Sequence, residues 1–252
     1  MSGKYLGHDY ELGETSFMDW SDEELKQMAF PTHALPKPMQ KHIDLSEPKI
    51  PRKSRATRKN YDWRNKRIGD KRRSYSEEYL VDCSMSEWGC SGGWSRFALE
   101  YIEMFGIPRG AQYPYVSGPK RSPADCNETV NVEYPISKVE FLTGNVSRAM
   151  EFVKNKGPII ASMYFCRDFL YYKSGIYAGH CDPQATNYIG GHSVAIIGYG
   201  TSRKGINYWL ARNSWGTGWG ADGYFMIKRG ANIASFETWE LLAPERKIFD
   251  VD

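Results

Sequence analysis

The sequence predicts an α+β protein whose first half is helical and whose second half is rich in strands. Apolar residues within 94–105 recur three and four positions apart, which is the spacing of one helix face, and Gly106 and Pro108 follow as stop signals. A second helix is predicted over 145–156, with Asn145 as its N-cap. After this helix, apolar runs between glycine turns predict strands over 192–199, 207–212 and 224–229.

The first 60 residues are polar and weakly patterned. Ser21 followed by acidic residues is typical of a helix start, so a short helix is predicted from Ser21 to just before Pro31. The stretch 49–73 carries twelve Lys or Arg against two Asp, and no helical basic face accompanies it. We therefore predict a solvated, protease-sensitive junction there rather than a nucleic-acid site.

The composition excludes several classes of protein. With 41% hydrophobic and 25% charged residues the chain resembles globular proteins, so wholesale disorder is not expected. A net charge of +3 is too small to indicate a polyanionic partner, and no stretch reaches the roughly 20 apolar residues that span a membrane.

The sequence signals for secretion disagree with one another. Residues 1–10 lack the apolar core of a signal peptide. Five cysteines and sequons at Asn127 and Asn145 are nevertheless typical of a secreted chain, in which both asparagines accept glycans.

Two motifs near the C-terminus carry a candidate catalytic pair. His192 lies in Gly-Gly-His-Ser-Val-Ala, and Asn213 opens Asn-Ser-Trp-Gly-Thr-Gly-Trp-Gly. If their strands are antiparallel neighbours, the start of the first lies beside the end of the second, and the two side chains meet. The Asn213 amide oxygen is then expected to accept the His192 Nδ1–H, which leaves Nε2 to face a nucleophile. Trp215 and Trp219 are expected to cover this bond from water.

We predict no metal or organic cofactor for this pair. His192 has no second ligand at the spacing that a zinc site requires. A thiol nucleophile needs an adjacent imidazole to take its proton and a third group to orient that imidazole. The pair therefore predicts nucleophilic catalysis, provided that the chain supplies a thiol.

Further motifs occur in the order that a known enzyme family shows. They are Gly13-Glu14-Thr15-Ser16-Phe17-Met18-Asp19, Tyr61-Asp62-Trp63-Arg64, Leu80-Val81-Asp82-Cys83-Ser84, Gly89-Cys90-Ser91-Gly92-Gly93, Tyr113-Pro114-Tyr115 and Gly223-Tyr224-Phe225. With the two C-terminal motifs, they make the chain resemble the papain-like cysteine peptidases, of the cathepsin type, over almost its whole length. The first is similar to the Gly-x-Asn-x-Phe-x-Asp motif of the family's inhibitory propeptide, with Thr15 in the place of Asn.

The resemblance implies a two-domain fold with a helical left domain and an antiparallel, β-barrel-like right domain. We expect residues 1–60 to be a partial propeptide and linker, residues 61–129 the left domain, and residues 130–252 the right domain. The left domain is expected to be incomplete. Between Trp63 and Ser76 the chain lacks the block that in the family holds a Cys-Gly-Ser-Cys-Trp segment, an oxyanion-hole Gln and the long central helix.

The resemblance also implies roles for single residues. His192 and Asn213 are the expected catalytic residues. The expected substrate-binding residues are Gly92, Gly93, Trp94 and Trp215. In an intact site of this family a Cys thiolate attacks the peptide carbonyl, the His protonates the leaving amine, and the Asn holds the His.

The same resemblance assigns the five cysteines. Cys83 is expected to pair with Cys126, and Cys90 is expected to be the unpaired thiol, because its family partner lies in the missing block. Cys166 and Cys181 are expected in disulfides. The partner of Cys181 stays open, because the C-terminal region that supplies it in the family has no cysteine here; a bond to Cys166 is one solution.

The nucleophile is the part of the apparatus that the sequence lacks. In this family the Cys precedes the His and Asn by about 130–150 residues, and the corresponding stretch 61–73 contains no cysteine. Cys90, in Gly-Cys-Ser-Gly-Gly-Trp, superficially resembles the missing segment. Its family role is structural, however, and nothing places it at a helix start facing His192.

Three interpretations stay open. In the first, the chain is an inactive, skipped-exon or otherwise incomplete product of a lysosomal or extracellular peptidase gene. In the second, it is a pseudo-peptidase that binds peptides or proteins through the retained cleft wall. In the third, the propeptide segment acts as a peptidase inhibitor. We expect a monomer without nucleic-acid partners or a membrane span.

Overall fold

The computed structural model describes residues 9–15, 17, 21, 60–65, 73–84, 88–120 and 122–247, without the side chains of residues 119 and 120. The helix predicted after Ser21 lies outside these residues. The chain divides into two compact units. The first comprises Met1–Lys66 with Phe141–Ala243, and the second comprises Arg67–Glu140 with Pro244–Asp252.

The described residues form the mixture of helices and strands that the sequence predicts. The helices are α1 Glu77–Cys83, α2 Ser95–Phe105, α3 Ser117–Lys120, α4 Val146–Asn155 and α5 Arg167–Leu170. The strands are β1 Tyr10–Leu12, β2 Tyr61–Asp62, β3 Ile136–Phe141, β4 Ile159–Cys166, β5 Tyr172–Tyr177, β6 Tyr188–Thr201, β7 Asn207–Arg212, β8 Tyr224–Lys228 and β9 Glu240–Arg246. No described helix combines the length and apolar character that crossing a membrane requires. The combination of these helices and strands confirms the α+β class.

The sheet of the first unit has the strand order β1-β5-β8-β7-β6-β4-β9, and β2 also pairs with β6. β5 and β8 run parallel, whereas β6 is antiparallel to both β4 and β7. The three predicted strands are confirmed as β6, β7 and β8. β6 begins earlier than predicted, at Tyr188, because its first residues pair with the end of β4 at Cys166.

Both predicted helices are confirmed, and local chemistry sets their ends. The Asn145 side chain caps α4 by accepting a hydrogen bond from the Arg148 backbone N–H at 3.0 Å. α2 ends at Gly106, whose φ of 78° lies in the left-handed region. A Cβ at Gly106 would lie 2.9 Å from the Glu133 carbonyl oxygen, so both the conformation and the space require glycine there.

The core of the first unit is largely aromatic. Phe169, on α5, is fully buried at its centre. Its ring centroid lies 5.0–5.7 Å from those of Tyr177, Trp215, Trp219 and Phe225. Aromatic pairs at these separations add to the free energy gained by burial alone. The strands that carry the candidate catalytic pair therefore rest on a densely packed layer.

The second unit has a smaller core, built around Tyr79, Cys83 and Ile107. The predicted face of α2 is only partly covered. Phe97 is 37% exposed and Phe105 is 55% exposed, whereas Leu99 is the fully buried side chain of this helix. The apolar spacing predicted the helix correctly, but not how much of that face is buried.

Because the core of the first unit is aromatic, replacing a buried phenylalanine should lower the free energy of unfolding much more than replacing an exposed one. Phe169→Ala removes a fully buried ring and should lower the free energy of unfolding by about 3–5 kcal/mol. Phe141 is 54% exposed, so Phe141→Ala should cost less than about 1 kcal/mol. Urea titration of both variants measures the difference. Equal losses would contradict a core centred on Phe169.

Candidate active site

His192 and Asn213 meet at one end of the β6–β7 pair. The two strands are antiparallel, with Ala195 opposite Arg212, so the start of β6 lies beside the residue that follows β7. His192 Nε2 is 2.8 Å from Asn213 Oδ1, and each residue is only 7% exposed. A backbone ladder that is fixed on both sides thus holds the two side chains in hydrogen-bond contact.

The ring nitrogen that contacts Asn213 differs from the sequence-based expectation. We expected Nδ1 to donate to the amide oxygen, whereas the structure places Nε2 there. Because Asn213 Oδ1 only accepts hydrogen bonds, this contact assigns the proton of neutral His192 to Nε2. The nitrogen left with a free lone pair is therefore Nδ1. Strand pairing brings the two residues together but does not determine which ring nitrogen faces the amide oxygen.

Two aromatic rings enclose the imidazole. Trp215 lies 4.7 Å from it between ring centroids, at an interplanar angle of 31°, and Phe165 lies 5.6 Å away. Trp219 is fully buried behind Trp215 and donates its indole N–H to the Leu170 carbonyl at 3.0 Å. Trp215 directly shields the His192–Asn213 bond, and Trp219 supports it. The sequence analysis missed Phe165, which lies in the continuous apolar run of β4 and carried no motif.

Burial controls the charge of His192. Removal from water lowers its pKa to about 4, against the smaller opposing effect of the hydrogen bond to Asn213. His192 is therefore a neutral imidazole at neutral pH, a state that can accept a proton at Nδ1.

Asn213 is held by a second contact. Its Oδ1 also accepts the Ser214 backbone N–H at 2.8 Å. Its Nδ2 is buried and finds no hydrogen-bond partner among the described residues. Two N–H groups therefore contact the oxygen of Asn213, and no acceptor contacts its amide nitrogen, so the oxygen is the end that faces His192.

The N-terminal segment packs onto the same unit. β1 pairs with β5, and the Gly13 N–H donates to the Tyr171 carbonyl at 2.8 Å. Phe17 is 5% exposed, and its ring lies 5.2 Å from that of Trp215. Residues 16, 18 and 19 of the propeptide-like motif lie outside the described residues. Phe17 therefore covers the outer side of the tryptophan that shields the catalytic pair.

Comparisons with known proteins agree with this geometry. Residues 55–241 match the family described as papain family cysteine protease. The chain belongs to the papain family of cysteine proteases. Cathepsin B-like CP2 of Giardia intestinalis is 33% identical over 172 residues, which cover 65% of this chain and 55% of that protein. Mouse pro-cathepsin H is 36% identical over 166 residues, which cover 64% and 48%.

A solved proenzyme shares the fold. The structure of digestive procathepsin L2 proteinase from Tenebrio molitor larval midgut matches with a TM-score of 0.72 and 27% identity, over 94% of this chain and 84% of that chain. The chain spans about half the length of the curated relatives it matches. Membership of the papain family, and a papain-like fold, are thereby shown.

The structure accounts for every cysteine of this papain-family chain. Cys83 is bonded to Cys126, and Cys166 to Cys181. Cys90 is an exposed free thiol. The Cys166–Cys181 bond ties the end of β4 to the loop before β6 across 15 residues, a loop length for which cross-linking contributes about 3 kcal/mol.

The other residues expected to bind substrate lie in the second unit, apart from Trp215. Gly92 follows the short 3-10 turn Gly89–Ser91 that holds Cys90, and its φ of 103° suits glycine. Trp94 is half-buried and immediately precedes α2, without a side-chain hydrogen bond that caps the helix. The described residues contain no group of His, Cys, Asp or Glu arranged to hold a metal ion.

Both sequon asparagines are exposed. Asn127 Oδ1 accepts hydrogen bonds from the backbone N–H and hydroxyl of Thr129, at 3.1 Å and 2.7 Å. Asn145 is the cap of α4 described above, and its Oδ1 is engaged there. A glycan attaches through Nδ2, so the backbone contacts of both oxygens are compatible with modification.

The burial of neutral His192 predicts an acid-dependent loss of stability. The folded pKa of about 4 lies below the ordinary value of 6.5, so the unfolded chain takes up the proton first as the pH falls. The contribution is complete above pH 6.5 and is lost as the pH drops towards 4. The loss should total about 3 kcal/mol.

Urea titrations between pH 7 and 4 measure this loss. His192→Gln cannot gain a proton and should show a shallower decline than the unmodified chain. His180 has an 87% exposed side chain, so His180→Gln is the control for an exposed histidine and should alter the decline less than His192→Gln does. An identical pH dependence for His192→Gln and the unmodified chain would refute the burial of a neutral imidazole.

Proposed function

We propose that this chain is an incomplete product of a papain-family peptidase gene. It retains the proton acceptor His192 and its partner Asn213 but lacks the nucleophile, and it does not hydrolyse peptide bonds. The observation that carries this proposal is the state of the five cysteines. Four are in disulfides, and the fifth, Cys90, is an exposed residue in a 3-10 turn. None of them is a thiol at the N-terminus of a helix, where a thiolate would be stabilised.

The chemistry of acyl transfer explains why the remaining groups do not suffice. His192 can accept a proton at Nδ1, but without a thiol beside it there is no nucleophile for it to activate. The block missing between Trp63 and Ser76 would also supply a side-chain donor to the oxyanion, which typically contributes 10²–10³ to kcat. Base and orienting group alone cannot form an acyl intermediate.

The pattern of loss supports an incomplete product of a peptidase gene. The His192–Asn213 side is intact down to the hydrogen bond and its aromatic cover, whereas one contiguous block is gone. Loss of a single exon would remove one contiguous block, whereas substitutions accumulated gradually would also be expected to change His192 and Asn213. If the intact enzyme exists, peptides or proteins are its substrates, and its compartment is lysosomal or extracellular, in keeping with the two disulfides.

A pseudo-peptidase that binds without cutting is the second candidate. The observation that favours it is that His192 and Asn213 remain paired and buried although no thiolate requires them. An inhibitor acting on other peptidases is less well supported. In this chain the N-terminal segment is already engaged in cis, through β1 on β5 and Phe17 on Trp215.

The proposal predicts no turnover of a fluorogenic peptide by the purified full chain. Iodoacetamide should label one residue, Cys90, and His192→Gln should leave the labelling rate unchanged, because no imidazole activates this thiol. Cys90→Ser is the matched control and should abolish labelling. Peptide turnover that is lost in Cys90→Ser would contradict the proposal.

Transcript sequencing separates the two candidates. An incomplete product predicts a longer transcript that restores a Cys-Gly-Ser-Cys-Trp segment between Arg64 and Tyr75. A chain assembled with that segment should then regain peptidase activity, because the base and its partner are already in place. Transcripts that all lack the segment would instead favour the pseudo-peptidase.

A further inference from the structure

The second unit exposes an apolar face on helix α2, called the α2 face below. Its four residues, spaced i, i+4, i+7 and i+8 so that they share one side of the helix, are Phe97, Tyr101, Met104 and Phe105. Met104 is 64% exposed, and the Tyr101 and Phe105 rings lie 4.9 Å apart between centroids. Seven of the eight exposed large hydrophobic side chains among the described residues belong to this unit. Exposed apolar surface concentrated in this way indicates an interaction site.

The loop that follows Cys126 lies beside the α2 face. Its bond to Cys83 anchors this loop, and Cys126 packs against the same small core as Tyr101 does. Burial, above all, raises the pKa of Tyr101 to about 12, and the charge of Glu128 contributes to that shift. Glu128 is therefore close to the Tyr101 hydroxyl. Asn127 stands between Cys126 and Glu128, so its side chain starts next to the α2 face.

The side chain of Asn127 is held in a turn that leaves its nitrogen available. Asn127 is exposed and begins the sequon Asn127-Glu128-Thr129. Its Oδ1 accepts both hydrogen bonds from Thr129 that were described above. Its Nδ2 makes no hydrogen bond to the described residues. The turn thus fixes the amide oxygen and leaves the atom that bears a glycan open to solvent.

We propose that Asn127 carries an N-linked glycan whose first sugar rings cover the α2 face. The C–H faces of the sugars pack on Phe97 and Phe105, and their hydroxyl groups face water, so the cover keeps this apolar surface soluble. The link forms when Asn127 Nδ2 displaces the diphosphate from C1 of a lipid-linked oligosaccharide and releases one proton. The inference rests only on passage through the secretory pathway, which the proposed compartment implies, and is independent of peptidase activity.

Secretion of the full chain from eukaryotic cells, behind a cleavable leader, tests the modification. Peptide N-glycosidase F releases the glycan and converts the asparagine that carried it to aspartate. Peptide mass mapping after this treatment should find aspartate at position 127. An unmodified Asn127 in the secreted chain would overturn the inference, whereas the fluorogenic peptide assay decides the lack of peptidase activity separately.

The oxidation rate of Met104 tests the cover. Dilute hydrogen peroxide converts methionine to its sulfoxide, and the rate follows the exposure of the sulfur. In the glycosylated chain, Met104 should oxidise about threefold more slowly than after the glycan is removed enzymatically from the folded protein. Met226, half-buried in the first unit, is the internal reference and should react at the same rate in both forms.

Two variants and a matched control make the result specific. Asn127→Gln and Thr129→Ala each remove this sequon, so both should raise Met104 oxidation to the rate of the deglycosylated chain. Ser147→Ala removes the sequon at Asn145 but leaves the cap of α4 in place, so it should not change the Met104 rate. Equal Met104 rates with and without the glycan would rule out the proposed cover. If such a chain is also dimeric in the analytical ultracentrifuge, a second copy covers the α2 face instead.

Discussion

The hydrogen bond between His192 and Asn213 is the constraint on which the rest of the site depends. Pairing of β6 to both β4 and β7 places the backbones of the two residues side by side, and side-chain packing then sets the contact between them. Phe165 and Trp215 then exclude water from the imidazole, and this exclusion lowers its pKa. A bond of this kind needs no thiolate to be stable, which is compatible with the proposed lack of a nucleophile.

The two compact units differ in what stabilises them. The first has a continuous aromatic core around Phe169, and the N-terminal segment adds β1 and Phe17 to it. The second has a small core around Tyr79, Cys83 and Ile107, the Cys83–Cys126 bond and a helix with exposed Phe97 and Phe105. The partly exposed face of α2 agrees with the proposal that the chain lacks the long central helix of the family.

Much of the fold and of the pair could be predicted because local patterns determine them. Asn145 and Gly106 mark helix ends by their own chemistry, and apolar runs between glycine turns located β6 and β7. β4 was not delimited, because its residues are nearly all buried and show no alternation. The nitrogen that faces Asn213 and the enclosing ring of Phe165 depend on rotamers and tertiary packing, for which the sequence has no periodic signal. Side-chain packing decides these only after the chain has folded.

The protonation state of His192 tests the central claim most directly, because a thiolate partner would hold the imidazole in its charged form at neutral pH. ¹⁵N NMR of the ring nitrogens at pH 6 to 7 reports both charge and tautomer. The account predicts a neutral ring with the proton on Nε2 and a bare Nδ1. A doubly protonated imidazolium in this range, or a neutral ring with its proton on Nδ1, would contradict it.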